Sequence, residues 1–389
     1  MKIKVICYLS LMLLIGSVAA AKSPQPDCGP IRQSVTDWTK FHFDLGNTGY
    51  NPYESILSPA TVGNLVVKWG ATTGSPVYSS PAVVSGVVYI GSADDNVYAL
   101  NASTGCALWK FRTENQVWAS PAVANGVVYI GSSDGNVYAL DASTGALLWM
   151  FPTSGGVGSG AAVTNGVVYV GSHDYNVYAL NASNGALLWK YTTGGEVGSS
   201  PAVVSGVVYI GSSDGNMYAL NASTGARLWK YRTGITAPGG AAAVANGVVY
   251  FGTYGDGLVY ALNADTGEFL WAYKTEYLVN SSPAVANGVV YIGSDDGNVY
   301  ALDAGTGALV WTYTIGYYTG AGSSPAVANG VVYVGSDDHN VYALDVDTGT
   351  LLWNYTTGSV VQSSAAVADG VVYVGSADGN VYAFHLPNQ

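Results

Sequence analysis

The chain has 389 residues, 49% of them hydrophobic and only 10% charged, with a formal net charge of −12. That balance argues against a disordered segment or a charged helical array, and the acidic surplus argues against nucleic acid as a partner. The 51 glycines and 30 tyrosines instead suit short strands joined by tight turns.

The chain opens with Lys2 and Lys4 ahead of an apolar run from Val5 to Ile15 and the small residues Ala19-Ala20-Ala21. This pattern predicts a signal peptide over 1–21 and a secreted or periplasmic mature protein. A membrane anchor is the competing reading, but the run is short for a bilayer span and no later segment supplies a longer one. Lipoprotein processing would need a cysteine just after the apolar core, and Cys28 follows the polar "SPQPD" instead. Cleavage leaves 11 Lys+Arg against 25 Asp+Glu, a net charge of −14. A lead-in segment over 22–60 then precedes a repeat domain over 61–389.

Trp69, Trp109, Trp149, Trp189, Trp229, Trp271, Trp311 and Trp353 lie 40, 40, 40, 40, 42, 40 and 42 residues apart. A period near 40 indicates a solenoid or a propeller. One unit, 119–153, reads "ASPAVANGVVYIGSSDGNVYALDASTGALLWMFPT", four short apolar runs separated by "NG", "SDGN" and "DASTG". Asn125-Gly126 and Asp134-Gly135 are expected to supply the positive φ angles of hairpin turns, and Gly145 does so in the longer third turn. Asp141 can close that turn by accepting a hydrogen bond from the amide two residues on.

Runs such as "GVVYIGS" do not alternate between apolar and polar, so both faces of each sheet must be covered, as neighbouring blades of a propeller do. The small-residue run "SPAVANG" suits the strand crowded nearest the axis, and the tryptophan suits the outermost strand, filling the widening gap between blades. Burying each ring removes about 150–250 Å² from water, roughly 4–6 kcal/mol gross. "GVVY" occurs eight times, beginning at Gly86, Gly126, Gly166, Gly206, Gly247, Gly288, Gly330 and Gly370, but the last copy has no outer strand after it. The segment "LVVKW" at 65–69 supplies the missing strand. The fold expected is all-β, an eight-bladed propeller of four-stranded antiparallel blades closed by the N-terminal strand joining the last blade.

At "ALDASTGALLW", 139–149, the sequence resembles the tryptophan-docking repeat of the pyrroloquinoline quinone (PQQ) dehydrogenases, and the resemblance covers all eight blades. "DWTKFHFDLGNTGYNPYESILSPATVGNLVVKW" is similar to the segment that leads into that superfamily's propeller. The resemblance implies an eight-bladed fold. Its enzymes hold the quinone against a disulfide of adjacent cysteines, bind calcium through acids and amides, and use an aspartate base. No Cys-Cys pair stands in this sequence, and the blades lack the long insertions that assemble such a site. The chain thus resembles the cofactor-free relatives, including the propeller lipoprotein of the outer-membrane assembly machine, and no cofactor is expected; PQQ with calcium belongs to an alternative, oxidoreductase reading.

His42, His173, His339 and His385 show no metal-ligand spacing, and the turn histidines His173 and His339 read as solvated. The Asp-rich turns lack the EF-hand pattern, and "NAST" at Asn101 and Asn221, although an acceptor sequence for glycans, occupies the turn position of Asp141 and Asp303. Cys28 and Cys106, the two cysteines beyond the leader, are expected to form a disulfide, since Cys106 replaces the alanine of Ala146, Ala186 and Ala226.

The first and third turns hardly vary among units, whereas the links between units do: "RTENQVWAS", "TTGGEVGSS", "KTEYLVNSS", "TIGYYTGAGSS". The residue before each inner strand should ring the channel mouth on the variable face: Tyr78, Trp118, Gly158, Gly198, Gly239, Asn280, Gly322 and Gln362. Glu196, Tyr277, Tyr317 and Tyr318 lie in the same links and could extend this patch. Exposed aromatics beside amides suit a peptide or sugar surface, the other reading being that they plug the channel. The function expected is a non-catalytic binding or scaffold module, monomeric and without a membrane span, whose partner is a protein, peptide or glycan at the cell surface or in the periplasm. A quinone-dependent oxidoreductase with a reduced site and a carbohydrate or small-ligand binder remain as alternatives.

Overall fold

The computed structural model describes residues 28–31, 36–233, 238–316 and 323–387. The leader read over 1–21 lies outside these residues, as do Tyr317, Tyr318 and Gly322. The described chain is all-β, with a single short 3-10 turn at Val62–Asn64. Blade 2 shows the design: Ala122–Ala124, Val127–Gly131, Asn136–Asp141 and Leu147–Pro152 pair in sequence as an antiparallel meander. Eight such sheets follow one another, and the inner strand of each touches the next until blade 8 meets blade 1. The middle strands are buried on both faces, as in Val127–Gly131, where Val128 and Ile130 are wholly inaccessible. This is why their sequence does not alternate.

In the first turn of blade 2, Asn125 (φ 51°) and Gly126 (φ 75°) are both left-handed, matching the type I′ hairpin. The second turn departs from the expectation for Asp134-Gly135. Only Gly135 (φ 89°) is left-handed, a position held elsewhere by Asp95, Tyr175 and His339. Asp134 keeps an ordinary backbone, and its carboxylate accepts from the Asn136 amide (2.8 Å), the Tyr138 hydroxyl (2.8 Å) and the Glu114 amide of the preceding link (3.0 Å). The aspartate therefore ties a turn to a link, which the turn geometry alone did not require. In the third turn Asp141 Oδ1 accepts from the amides of Ser143 (3.1 Å) and Thr144 (2.9 Å), and Asn101 and Asn221 do the same for Ser103 and Ser223.

Each outer-strand tryptophan docks on the following blade. Trp109 Nε1 donates to the Ala142 carbonyl (2.9 Å), which also receives the Tyr89 hydroxyl (3.2 Å). A Cβ on Gly145 would stand 2.7 Å from the Trp109 ring, so this glycine is demanded both by its φ of 71° and by the ring packed on it.

The ring closes where Val66–Thr72 pairs antiparallel with Asn380–His385 as the outer strand of blade 8. Trp69 then docks on blade 1 through the Ala102 carbonyl (3.0 Å). Blade 7 meets a different acceptor, because Trp353 Nε1 donates to Leu65 O (3.1 Å), just ahead of the closing strand.

The lead-in segment circles the inner strands at the first-turn end of the channel. Trp38 exchanges two backbone bonds with Val83 of blade 1 (2.7 Å each), and the carbonyls of Thr39, Leu45, Gly46, Thr48 and Gly49 accept from Val123, Val203, Val244, Val285 and Val327. Tyr50–Asn51 pairs parallel with Ala326–Ala328, and Asn51 Nδ2 donates to Val367 O in blade 8 (2.8 Å). At the start of this segment Cys28 and Cys106 are joined, their Cα atoms 5.4 Å apart, which ties it to the third turn of blade 1.

Candidate functional site at the channel mouth

The links converge on the opposite end of the channel. Two residues into each converging segment a belt of serines binds blade to blade: Ser80 N donates to Ser120 Oγ (3.0 Å), Ser282 N to Ser324 Oγ (2.9 Å), Ser324 N to Ser364 Oγ (3.0 Å) and Ser364 N to Ser80 Oγ (3.0 Å). Gly160 N and Ala241 N donate to Ser200 and Ser282 in the same manner, so the belt lacks a hydroxyl only at Gly160 and Ala241. These bonds fix the backbone and leave the residue two positions earlier in each segment, such as Tyr78 before Ser80, to face the opening.

A cavity of about 200 Å³ lies there, lined by Tyr78, Gly158, Gly198, Gly239, Asn280 and Gln362 above the serine belt. Trp118 does not line it but stands half exposed at its rim, edge-on to Tyr78 with ring centroids 6.1 Å apart. Glu196 and Tyr277 are exposed on the links outside the lining.

The floor of the cavity was not legible in the sequence. It is Phe41, carried into the bore by residues 40–44 of the lead-in segment. Lys40 is buried and donates to Phe41 O (2.8 Å), Asp44 O (3.0 Å) and Asn47 Oδ1, gathering the loop around its ammonium. Burial pushes Lys40 down to about 8, the Asp44 carboxylate opposing the shift. His42 stacks on Phe41 at 4.2 Å, and burial pulls its pKa down to about 3. Its Nδ1 lies 3.2 Å from the Asn47 carbonyl, which can only accept, so the neutral ring carries its proton there. The channel is thus plugged from the first-turn end by the lead-in segment, and the mouth residues do not have to fill it.

The rim is asymmetric. Asn280 Nδ2 donates to Asp295 (2.6 Å) and Gln362 Nε2 to Asp337 (3.0 Å). Burial raises both carboxyls above the ordinary range, the amides partly offset this, and the neighbouring carboxylates Asp337 and Asp338 add to the rise at Asp295 and Asp337 respectively. Across the opening His173 lies against the glycines, its Nε2 at 3.5 and 3.4 Å from where Cβ atoms of Gly158 and Gly198 would be. His173 is exposed, as read from sequence, but it flanks the mouth rather than an isolated turn. Asp295, Asp337 and His173 share one position of the second turn, and aligning that turn with the links would have found them.

The quinone and calcium of the alternative reading find no matching ligands among these side chains. No charged group lines the cavity, and the second-turn aspartates are occupied: Asp94 accepts from Tyr98 (2.6 Å), the Gly74 amide (2.7 Å) and the Asn96 amide (3.1 Å). Burial would raise Asp94, but these bonds outweigh it and hold the carboxyl below its ordinary value. Among the described residues no three His, Cys, Asp or Glu side chains are grouped to hold a metal. The donor set present does not fit a calcium-bound quinone.

Closed ring, tryptophan joints and a plugged channel define a PQQ-like eight-bladed propeller. The sequence matches the family model described as outer membrane protein assembly factor BamB over residues 60–156, 133–277, 236–317 and 255–388, and the chain belongs to that family of PQQ-like repeats. No match to a curated protein reaches significance. The crystal structure of BamB from Moraxella catarrhalis is similar with a TM-score of 0.72 and 22% identity, covering 82% of this chain and 99% of that one. Quinohemoprotein alcohol dehydrogenase from Comamonas testosteroni gives 0.80 and 18%, covering 94% and 82%. The computationally designed Ika8 protein gives 0.73 and 22%, covering 81% and 97%. At these identities the likenesses show the fold, which BamB, a dehydrogenase and a designed chain share.

Proposed function

We propose that this protein is a non-catalytic binding scaffold, secreted or periplasmic, that takes a segment of a protein partner at the channel mouth. The observation that carries the reading is the mouth itself: a cavity walled by bare backbone, two amides and Tyr78, with Trp118 edge-on to that tyrosine at the rim, over a floor supplied from elsewhere. Its polar groups suit peptide backbone and side-chain amides, and the half-exposed Trp118 supplies the large rigid contact typical of binding hot spots. The family's description as an assembly factor supports the same class of function and a place at the outer membrane. No helix among the described residues is long and apolar enough to cross a membrane.

The test is a displayed random-peptide library selected on the mature protein, followed by binding to the Tyr78→Gly/Trp118→Gly double variant. Peptides that lose about tenfold or more in affinity while the melt is unchanged are expected. Selected peptides that bind the double variant as well as the wild type, or an absence of binders, would overturn the site.

A further inference from the structure

The ring made by the lead-in segment has one gap. Seven blades have their inner strand bonded to it, whether by backbone or, in blade 8, by Asn51. Blade 3 has none, because residues 40–44 turn down into the bore at that point. His42 and Phe43 adopt left-handed φ values of 56° and 69° there, and Phe41 reaches Gly160 of blade 3, whose missing side chain leaves it room. Among the described residues no segment pairs with the axis-facing edge of Ala162–Thr164. The difference is visible in burial: Val83, Val123, Val203, Val244, Val285, Val327 and Val367 are buried, while Val163 at the same position is only partly so.

A cavity of about 650 Å³ opens at this gap on the first-turn face. Its walls are Val123, Val163, Val203 and Phe43, and its acidic groups are Asp37 and Asp44. Asp44 opposes the buried Lys40, whose ammonium is turned inward, whereas no ion pair reaches Asp37 among the described residues. The site is therefore an apolar slot with a carboxylate at its edge, Asp37, which accepts from the Ser85 amide (2.9 Å) but meets no cation among the described residues; its floor is a strand whose outward N–H and C=O find no partner among those residues.

We propose that blade 3 accepts an extended segment of a partner polypeptide, which pairs with Val163 and completes the ring. The occupant must present backbone, since the equivalent groups of Val83 are satisfied by the N–H and C=O of one residue, Trp38, at 2.7 Å each. The parallel pairing of Tyr50–Asn51 on blade 7 supplies the geometry. Apolar walls and Asp37 select a segment that places an apolar side chain in the slot and a lysine or arginine beside it. This site lies at the opposite end of the channel from the mouth and does not depend on it.

The same displayed peptide library, panned on the full mature chain, tests the proposal. Proline at position 163 removes an N–H that bonds to nothing and so blocks pairing without breaking the ladder to Val167–Gly171. A class of binders is expected that loses about tenfold or more in affinity to Val163→Pro and also weakens with Asp37→Asn, is indifferent to Trp118→Gly, and carries a basic residue. In the wild type those binders should slow hydrogen exchange at the Val163 amide, a readout that stands even if Val163→Pro does not fold. Binders insensitive to Val163→Pro with no protection at Val163, or no binders outside the mouth class, would overturn it.

Discussion

Seven of the joints between blades are copies of one another, and the eighth, from blade 7 to blade 8, is made of different material. In each copy one carbonyl receives both a tryptophan and a tyrosine, as Ala182 O receives Trp149 Nε1 (2.9 Å) and the Tyr129 hydroxyl (3.2 Å). At the eighth joint Leu65 O receives Trp353 (3.1 Å), but the Tyr333 hydroxyl, wholly buried, has no partner among the described residues. The docking tryptophan needs only a carbonyl at the right place, so unrelated backbone can serve. The tyrosine needs the shape of the repeated third turn, and the lead-in segment does not reproduce it.

The largest break in this comparison is removal of the residues before Gly70. It deletes Val66–Trp69 of the closing strand, the Leu65 acceptor and the docked Trp69 ring, whose burial alone is about 4–6 kcal/mol gross. A collapse of the melting temperature, with loss of the monomer in size-exclusion chromatography from the exposed edge, is expected; an unchanged melt and monomer would contradict closure. Cys28→Ser should cost roughly 3–5 kcal/mol in the chain-entropy picture, since the bridge spans a sequence separation of 78. Denaturant titration of oxidised wild type against the variant measures it.

Acid tests the lead-in segment selectively. His42 is neutral in the folded protein down to about 3, while in the unfolded chain it protonates near 6.5. Between those values the unfolded state holds more protons, so stability falls as pH drops, by about 1.4 kcal/mol per unit. His42→Leu should flatten that slope in urea titrations between pH 6 and 4. Lys40 acts in the other window: from about 8 to 10.5 only the unfolded chain keeps its proton, and stability rises with pH. The smallest effect separates the joints themselves. Tyr129→Phe should cost about 1 kcal/mol, whereas Tyr333→Phe should be neutral or stabilising, because it removes a buried hydroxyl that bonds to nothing. Equal losses at the two positions in thermal melts would show that Tyr333 is satisfied after all.

What could be read in advance follows from which residues repeat. The tryptophan period, the eight "GVVY" copies and the missing last strand gave the blade number and the closure, because each is one position seen many times. Alignment of the links puts Tyr78, Trp118, Asn280 and Gln362 at one position; Tyr78, Asn280 and Gln362 line the cavity, whereas Trp118 stands at its rim. The plug was hidden because Lys40, Phe41 and His42 occur once, with no second copy to mark them as special. The role of Asp134 was half visible: its turn was evident, but its bond to the Glu114 amide crosses from one blade to the next, a relation the chain order does not display.

Pairing of Val66–Thr72 with Asn380–His385 has a temporal side. Thr72 and Asn380 bond across 308 residues, so a strand made among the first must wait, unpaired, until almost everything else has been synthesised. The four strands of each of blades 1 to 7 can assemble locally as they emerge, but the ring cannot lock before its final partner arrives. A chain stalled or clipped before Asn380 would keep that waiting strand exposed, and proteases or chaperones could tell it from the finished molecule by this one unsealed edge.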